Sequence, residues 1–174
     1  IGQMVNSEVG HMSIGSGRIL YQDLVKISLA LKEKTFQKNE VFNRLLSSSP
    51  ILHLIGLLSD GGVHSHIDHL IGIITLAKAK AKNIYLHLIS DGRDVHPKSL
   101  QKYLTALEPL LSSQCQIATL GGRFYAMDRD NRWDRIELAF NAISDAVPKT
   151  LLSPHDYTQK SYDKNELDEF ILPS

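Results

Sequence analysis

Side chains that can bind an anion follow three separate apolar segments of this 174-residue chain. Each group lies at or just after a glycine and combines basic residues with hydroxyl or carboxylate groups. The groups are His64, Ser65 and His66; Asp91, Arg93 and Asp94; and Arg123, Asp128, Arg129 and Asp130. An arginine guanidinium donates two parallel hydrogen bonds to a phosphate or carboxylate, and aspartates accept from hydroxyl groups or hold arginines in place. This chemistry predicts a small ligand that is anionic and hydroxylated, with the size of a phosphorylated C3 acid.

The segments that must position these groups alternate between strand-like and helix-like patterns. Residues 51–58, 84–89 and 115–120 are short apolar runs, and apolar residues at the spacing of an amphipathic helix follow each run. Buried strands that alternate with helices predict βαβ units and an α/β fold. We expect a three-layer αβα arrangement around a sheet that is largely parallel or mixed. Ligands bind outside the carboxyl ends of the strands in such sheets, so the three groups should converge on one crevice.

The remaining segments are less informative. Residues 1–17 are rich in glycine and small polar residues, which predicts a loop. Apolar residues at helical spacing predict helices over residues 20–34 and 39–46. Residues 157–174 are charged and turn-rich, and they give no clear prediction.

Composition limits the functions that the chain can have. Hydrophobic residues make up 43% and charged residues 22%, and the formal net charge is zero, so no global positive field favours nucleic acid or a membrane surface. The single Cys115 excludes an internal disulfide framework and is typical of a reducing compartment. The longest apolar run, residues 51–58, is too short to span a bilayer. Because the chain begins at Ile1 rather than Met, we expect it to be part of a longer protein.

The third group also has a purely structural interpretation. Its arginines alternate with aspartates, and an internal network of salt bridges would explain this alternation without any ligand. The residues concerned are Arg123, Asp128, Arg129, Asp130, Arg132, Asp134 and Arg135. The recurrence of such groups after three predicted strands favours a binding site, and the salt-bridge network stays open as the alternative.

The histidines and the serine near the start are ambiguous when taken alone. The spacing of His64, His66 and His69 is compatible with zinc, but no cysteine or carboxylate completes a tetrahedral set. His53 and His87 lie inside apolar runs, which predicts core positions. Ser7 lies in a glycine-flanked turn near acidic and basic residues, but a serine nucleophile needs a base or a metal ion to activate it.

Longer segments around these residues carry a resemblance to a known family. They are GQMVNSEVGH (residues 2–11), GSGRILYQDL (15–24), GLLSDGGVHSH (56–66), DGRD (91–94), GRFYAMDRDNRWDR (122–135) and DEFI (168–171). In this order and over the whole chain, they resemble the cofactor-independent (2,3-bisphosphoglycerate-independent) phosphoglycerate mutases. The chain resembles neither the histidine-phosphatase type of mutase nor a P-loop enzyme.

The resemblance implies a cytoplasmic isomerase of glycolysis and gluconeogenesis. Such an enzyme is an intramolecular phosphotransferase that interconverts 3- and 2-phosphoglycerate through a phosphoserine intermediate, without 2,3-bisphosphoglycerate. Two divalent metal ions, taken as Mn²⁺, would activate the serine and neutralise charge on the transferring group. The implied partner is the small-molecule substrate, with no nucleic acid and no membrane, and the full-length form is implied to be a monomer.

The resemblance also assigns roles to individual residues. Matched by motif, Ser7 is the nucleophile and a metal ligand. The implied substrate contacts, which we expect around one solvent-accessible cavity, are His64, Arg93, Asp94, Arg123 and Arg129. Two positions depart from the family pattern: Val5 replaces the usual Gly, two residues before the serine, and Phe124 replaces the usual Tyr.

The resemblance divides the chain into two unequal parts. Residues 1–21 would be the nucleophile segment of a phosphatase-like catalytic domain, and residues 22–174 most of the inserted substrate-binding (phosphotransferase) domain, with the fold truncated at both ends. The family's other metal ligands, an arginine pair and a lysine would lie outside the sequence, so we expect the chain alone to be inactive. Two alternatives stay open: a catalytically incomplete, phosphoglycerate-binding fragment or degenerate remnant, and a metal-dependent phosphatase of the same superfamily.

Overall fold

The computed structural model describes residues 7–81 and 83–174, and for Ser7 and Glu8 it describes the backbone only. The strands are β1 (Ile51–Leu58), β2 (Asn83–Ser90) and β3 (Cys115–Gly122). The α-helices are α1 (Ser7–Ser16), α2 (Asp23–Lys32), α3 (Glu40–Ser48), α4 (Ile67–Ala77), α5 (Leu100–Leu107), α6 (Arg123–Ala126), α7 (Trp133–Ser144) and α8 (Pro154–Asp163). Short 3₁₀ helices are found at Phe36–Lys38, Glu108–Leu110 and Asp168–Phe170.

The three strands form one parallel sheet in the order β1-β2-β3. Leu52 pairs with Ile84 and Leu86 with Ile117, and the register between β2 and β3 shifts between Leu86 and His87. Helices α4 and α5 connect consecutive strands, as parallel pairing requires. The predicted α/β fold with a parallel sheet is confirmed.

Helices cover both faces of the sheet. Successive strand residues face opposite sides; on one side, Ile84 and Leu86 are fully buried in a core that includes residues of α4 and α5. On the other side, Ala139 and Ala142 of α7 are buried close to His87. This arrangement gives the three layers that the sequence predicts.

Two parts of the chain differ from the sequence analysis. Residues 7–16 form α1, where a loop was expected, and residues 1–6 of that expected loop lie outside the described residues. The two glycines of α1 each cost only about 1 kcal/mol relative to alanine, so they do not forbid a helix. Helix α8 was also missed, although Ser153 accepts a hydrogen bond from Asp156 N–H and Pro154 occupies the first turn, both of which are helix-start signals in the sequence.

Residues 168–171, which we call the strap, tie the ends of β2 and β3 together. The Ser90 hydroxyl donates to the Asp168 carbonyl at 2.6 Å, and the Gly122 N–H donates to the Ile171 carbonyl at 2.7 Å. The Asp168 carboxylate accepts from the Ser99 N–H at 2.8 Å, which fixes the strap to the start of α5. The strap therefore lies against the edge of the sheet where the carboxyl ends of the strands meet.

Candidate anion-binding site

The loop after β1 brings His64 to the carboxyl edge of the sheet. Gly62 has a φ of +69°, in the left-handed region that favours glycine. The Ser65 hydroxyl donates to the Leu57 carbonyl at 2.6 Å, which folds the loop back on its strand. His64 then faces the loop after β2, with its Nε2 atom 3.8 Å from Asp94 Oδ2.

Asp91 organises the loop after β2. Its side chain is only 1% exposed, and its Oδ1 atom accepts from the Arg93 and Asp94 N–H groups at 3.1 and 3.0 Å. These two bonds form a tight turn at the end of the strand. The turn leaves the Arg93 side chain 63% exposed, with Nη1 3.5 Å from Glu169 Oε1.

Arg123 joins the loop after β2 to the start of α6. Its Nη1 atom donates to Asp91 Oδ1 at 2.6 Å and to Asp94 Oδ2 at 2.8 Å. Burial lowers the pKa of Arg123, but the hydrogen bonds to Asp94 and Asp91 outweigh burial and raise the pKa above its usual value. Burial also raises the pKa of Asp91, yet the nearby Ser59 hydroxyl and the hydrogen bonds from backbone N–H groups and from Arg123 bring this pKa below its usual value. Both partners are therefore charged near neutral pH.

Asp128 organises the loop between α6 and α7, which carries Arg129. The Oδ2 atom of Asp128 accepts from the Asp130 and Arg132 N–H groups at 3.0 and 2.8 Å, and its Oδ1 atom accepts from Arg135 Nη1 at 3.1 Å. The Arg132 N–H lowers the pKa of Asp128 most, and desolvation opposes this effect without cancelling it. A negative charge on Asp128 thus holds the loop in shape.

An open cavity of about 190 Å³ lies where these loops meet. It is lined by Arg93, Arg123, Phe124, Met127, Asp128, Arg129, Asp130, Arg135 and Glu169. The Arg135 guanidinium lies over the Phe124 ring, 3.9 Å from its centre, in a cation–π contact. Arg129 forms no ion pair with any residue in the described part of the chain. Four arginines around one opening give the cavity the chemistry of an anion site.

The structure brings the predicted substrate contacts into one connected cluster, but not into one cavity. Arg93, Arg123 and Arg129 line the anion cavity. Asp94 is hydrogen-bonded to Arg123, and His64 lies beside Asp94. His64 lines a different open cavity, of about 710 Å³, whose walls are α1, α2 and the loop after β1.

The predicted nucleophile cannot be related to the cavity in the same way. Ser7 is the first residue of α1, but its side chain lies outside the described part of the chain, as do Val5 and Asn6 entirely. The roles of Ser7 as nucleophile and metal ligand stay predictions.

The salt-bridge alternative accounts for only part of the third group. Arg132 pairs with Asp134 at 3.0 Å and Arg135 with Asp128 at 3.1 Å, so these ion pairs do support the loop and the start of α7. Arg129 belongs to no such pair among the described residues and lines the cavity instead. The network therefore shapes the loop and leaves a guanidinium available for a ligand.

The sequence did not indicate that the strap forms part of this site. Glu169 lines the cavity and faces Arg93, and the Phe170 ring lies 5.0 Å from the Phe124 ring. A Cβ atom at Gly122 would lie 2.2 Å from the Glu169 carbonyl oxygen, so only glycine fits there. A glycine directly before an arginine was the available signal for a close backbone approach, but the sequence does not say which segment approaches.

The resemblance places most ligands of its metal centre outside this sequence, and the described residues form no such centre by themselves. Within residues 7–81 and 83–174, no group of three or more His, Cys, Asp or Glu residues has the geometry to hold a metal ion. The rings of His66 and His69 lie 5.9 Å apart, but His66 caps α4 and His69 Nε2 is 2.7 Å from the Ser28 hydroxyl. These two histidines therefore have structural partners.

The two histidines of the strands differ from each other. His87 is buried, as predicted, and its ring nitrogens lie 2.9 Å from His53 Nδ1 and 3.0 Å from Thr119 Oγ1. His53 is exposed, so its predicted core position is wrong: it lies on the edge strand β1, on the same face of the sheet as His87. Burial lowers the pKa of His87, and the nearby His53 lowers it further.

Comparison with known proteins gives an independent view of this chain. The family model described as BPG-independent PGAM N-terminus (iPGM_N) matches residues 27–174. A 2,3-bisphosphoglycerate-independent phosphoglycerate mutase of Sulfurimonas denitrificans is 61% identical over 172 residues, which is 99% of this chain and 35% of that protein. A protein of the same name from Helicobacter pylori (strain ATCC 700392 / 26695) is 54% identical over 173 residues, with the same two coverages.

A solved structure is similar over the same extent. The phosphoglycerate mutase of Leishmania mexicana, crystallised at low cobalt concentration, has a TM-score of 0.86 and 33% sequence identity to this chain, and the match covers 98% of this chain and 34% of that one. The chain thus spans 35% of the length of the curated relatives above. Within residues 7–81 and 83–174, no helix has both the length and the apolar character needed to cross a membrane. With the family model matching most of its length, the chain belongs to the family of bisphosphoglycerate-independent phosphoglycerate mutases, in the part that the model describes as the N-terminus.

Proposed function

We propose that the chain forms the phosphoglycerate-binding part of a cofactor-independent phosphoglycerate mutase, which interconverts 3- and 2-phosphoglycerate. The observation that carries this proposal is the cavity in which Arg93, Arg123 and Arg129 come together at the carboxyl edge of the sheet. Phosphoglycerate has a phosphate at one end and a carboxylate at the other, and both groups accept paired hydrogen bonds from guanidinium. Family membership supports this choice among small anions.

Arg123 is suited to be the fixed donor of the site. Asp91 and Asp94 both accept from the same nitrogen, Nη1, and a guanidinium carries five N–H donors in a rigid fork. The Nη2 and Nε groups are therefore not used by these carboxylates and can donate to a ligand. Because two aspartates hold Arg123 in place, little side-chain freedom is lost when a ligand binds.

Arg93 and Arg129 are suited to be the solvent-facing donors. Arg93 is 63% exposed and has one weakly held carboxylate partner, and Arg129 has none among the described residues. Asp94 Oδ1 makes neither the contact to Arg123 nor that to His64, so it can accept a hydrogen bond from a glycerate hydroxyl. In this assignment the arginines bind the charged ends of the substrate, and Asp94 with His64 binds its middle.

Ser7 is assigned the nucleophile's role by the resemblance. It begins α1, and the partial positive charge at a helix N-terminus favours a phosphoryl group on that residue. The two divalent ions of the family would activate the serine when bound, but the described residues form no site for them. The proposed boundary between the two parts of the chain, after residue 21, falls between α1 and α2. The proposal also includes a cytoplasmic location and a monomeric state of the full-length protein.

A matched pair of arginine variants tests the binding proposal. Arg129→Ala removes a guanidinium that lines the cavity, whereas Arg132→Ala removes one that pairs with Asp134 nearby. A hydrogen bond to a charged group contributes about 1.5–3 kcal/mol, so Arg129→Ala should weaken binding of 3-phosphoglycerate by roughly ten- to hundredfold. Arg132→Ala should change the affinity by less than about twofold.

Binding should be followed by ¹⁵N chemical shifts during titration with 3-phosphoglycerate, at low and at moderate salt. We expect weak binding that salt weakens further, since the cavity is open to solvent. Equal affinities of the Arg129→Ala and wild-type chains would refute this assignment of the cavity. A flat titration of the wild-type chain would refute the proposed binding function for this chain.

Turnover separates the proposal from the phosphatase alternative. The 174-residue chain with added Mn²⁺ should show no mutase activity above a Ser7→Ala control in an assay coupled to enolase, because its described residues form no metal site. Binding without turnover is the outcome expected of a phosphoglycerate-binding portion of the enzyme. Hydrolysis of p-nitrophenyl phosphate that depends on Ser7 would instead favour a phosphatase of the same superfamily.

A further inference from the structure

We propose that Glu169 is a positioning residue that holds the Arg93 guanidinium over the anion cavity, an inference that rests on the proposed function. Glu169 Oε1 lies 3.5 Å from Arg93 Nη1, and both side chains line the cavity. A carboxylate in the wall of an anion site repels the ligand, so its presence there calls for a compensating role. Orienting an arginine is such a role.

The backbone of Glu169 is held between the two loops that carry Arg93 and Arg123. A Cβ atom at Gly92 would lie 2.7 Å from the Glu169 nitrogen, and one at Gly122 would lie 2.2 Å from the Glu169 carbonyl oxygen. These glycines are the residues immediately before Arg93 and Arg123. The Glu169 backbone therefore packs against the glycines directly before both arginines, and its side chain reaches the guanidinium of Arg93.

The position of Glu169 does not depend on its contact with Arg93. On one side of Glu169, Asp168 is fixed by the Ser90 hydroxyl at 2.6 Å and by the Ser99 N–H at 2.8 Å. On the other side, the Ile171 carbonyl accepts from the Gly122 N–H at 2.7 Å. A segment anchored at both ends provides a fixed point against which an exposed side chain can be oriented.

Arg93 needs such a partner more than Arg123 does. Arg123 is 10% exposed and is held by two carboxylates within 2.8 Å, whereas Arg93 is 63% exposed and has Glu169 as its carboxylate partner. A free arginine side chain has several rotatable bonds, whose freedom is lost when a ligand immobilises it. A carboxylate that restricts Arg93 beforehand reduces that loss on binding.

The positioning role and the repulsion of the ligand by charge have opposite signs, so a double-mutant cycle distinguishes them. If Glu169 acts through Arg93, Glu169→Ala should weaken binding of 3-phosphoglycerate by about two- to fivefold, because an exposed pair of this kind restricts one side chain only partly. In an Arg93→Ala background the same substitution should leave the affinity unchanged or raise it slightly. Glu169→Gln should recover part of the loss, since its amide oxygen still accepts from Arg93.

Two results of this cycle would overturn the proposal. Tighter binding on Glu169→Ala in both backgrounds would mean that Glu169 acts only as a local negative charge. An equal loss of affinity in both backgrounds would mean that Glu169 supports the fold and not Arg93. Glu169→Gln keeps the shape of the side chain, so the comparison survives if the alanine variant fails to fold.

A measurement without ligand separates this inference from the proposed function. The Arg93 Nε–H signal in ¹⁵N spectra should show a more restricted side chain than that of the exposed Arg44, and Glu169→Ala should remove this difference. If the wild-type chain fails to bind 3-phosphoglycerate or inorganic phosphate while the Arg93 signal responds in this way, the proposed function fails and the positioning of Arg93 stands. An Arg93 signal that is unchanged in Glu169→Ala overturns the positioning role.

Discussion

Replacing Arg123 by alanine should destabilise the chain far more than replacing Arg93. Arg123 is 10% exposed and shares its Nη1 with Asp91, which is 1% exposed, and with Asp94, which is 17% exposed. Removing one partner of a buried ion pair leaves an uncompensated charge and costs about 3–5 kcal/mol. The exposed Arg93 has an ion pair of the surface type, whose contribution is about 0–1 kcal/mol.

The local contacts indicate the lower end of the range for Arg123→Ala. Asp91 Oδ1 keeps its hydrogen bonds from the Arg93 and Asp94 N–H groups in the variant, and water can reach Asp94. We therefore expect a loss of about 3 kcal/mol in the free energy of unfolding. Because the pKa of Asp91 is lowered in the folded chain, its contribution to stability is complete above the pKa of about 3.9 in the unfolded chain. This contribution is lost as the pH falls through the pKa in the folded chain. The difference between variant and wild type should shrink over that acidic range.

Urea unfolding followed by far-ultraviolet circular dichroism measures this difference. With a slope of about 1–3 kcal/mol per molar urea, the midpoint of Arg123→Ala should fall by about 1–3 M at neutral pH, and that of Arg93→Ala by much less. Equal midpoints for the two variants would refute the reasoning, because they would show that burial of the Arg123 ion pairs does not matter. A difference that stays constant down to the most acidic pH at which the chain is still folded would refute the part assigned to the charge of Asp91.

Two further predictions concern the strap and the sheet. Gly122→Ala places a Cβ atom 2.2 Å from the Glu169 carbonyl oxygen and should destabilise the folded chain by about 1–3 kcal/mol or more. Gly56→Ala, with no atom within 4 Å of its new Cβ, should leave the stability unchanged or raise it by up to about 1 kcal/mol. Equal thermal midpoints for the two variants would contradict the close approach of the strap. Burial lowers the pKa of His87 in the folded chain, and the nearby His53 lowers it further. The contribution of His87 to stability is therefore complete above the pKa of about 6.5 in the unfolded chain, and it is lost as the pH falls from there through the pKa in the folded chain. Urea midpoints measured between pH 7.5 and 5 should therefore fall less steeply in His87→Gln than in the wild type, and parallel curves would assign the pH dependence to other groups.

The sheet and the position of the site at its edge could be predicted from the sequence because their signals are local. Each strand is a short apolar run, and each site group follows its strand within a few residues, as with Arg93 after β2 and Arg123 after β3. The close contact of Glu169 with Gly92 and Gly122 joins residues that are distant in the chain, and no spacing encodes it. The exposure of His53 was missed for a related reason: an apolar run predicts a strand but not which of its neighbours covers each face.

The carboxylate partners of each arginine explain why the arginines of one cavity should contribute differently to stability and to ligand binding. A guanidinium can be buried only if carboxylates neutralise it, and the two that hold Arg123 also fix its orientation and occupy a single nitrogen. An arginine without such partners among the described residues, like Arg129, contributes little to folding and is available for a ligand. Unfolding measurements should therefore respond mainly to Arg123, and 3-phosphoglycerate titrations mainly to Arg129. If Arg129→Ala lowered stability as much as Arg123→Ala does, this separation would be wrong, and the cavity would be part of a structural network of charges.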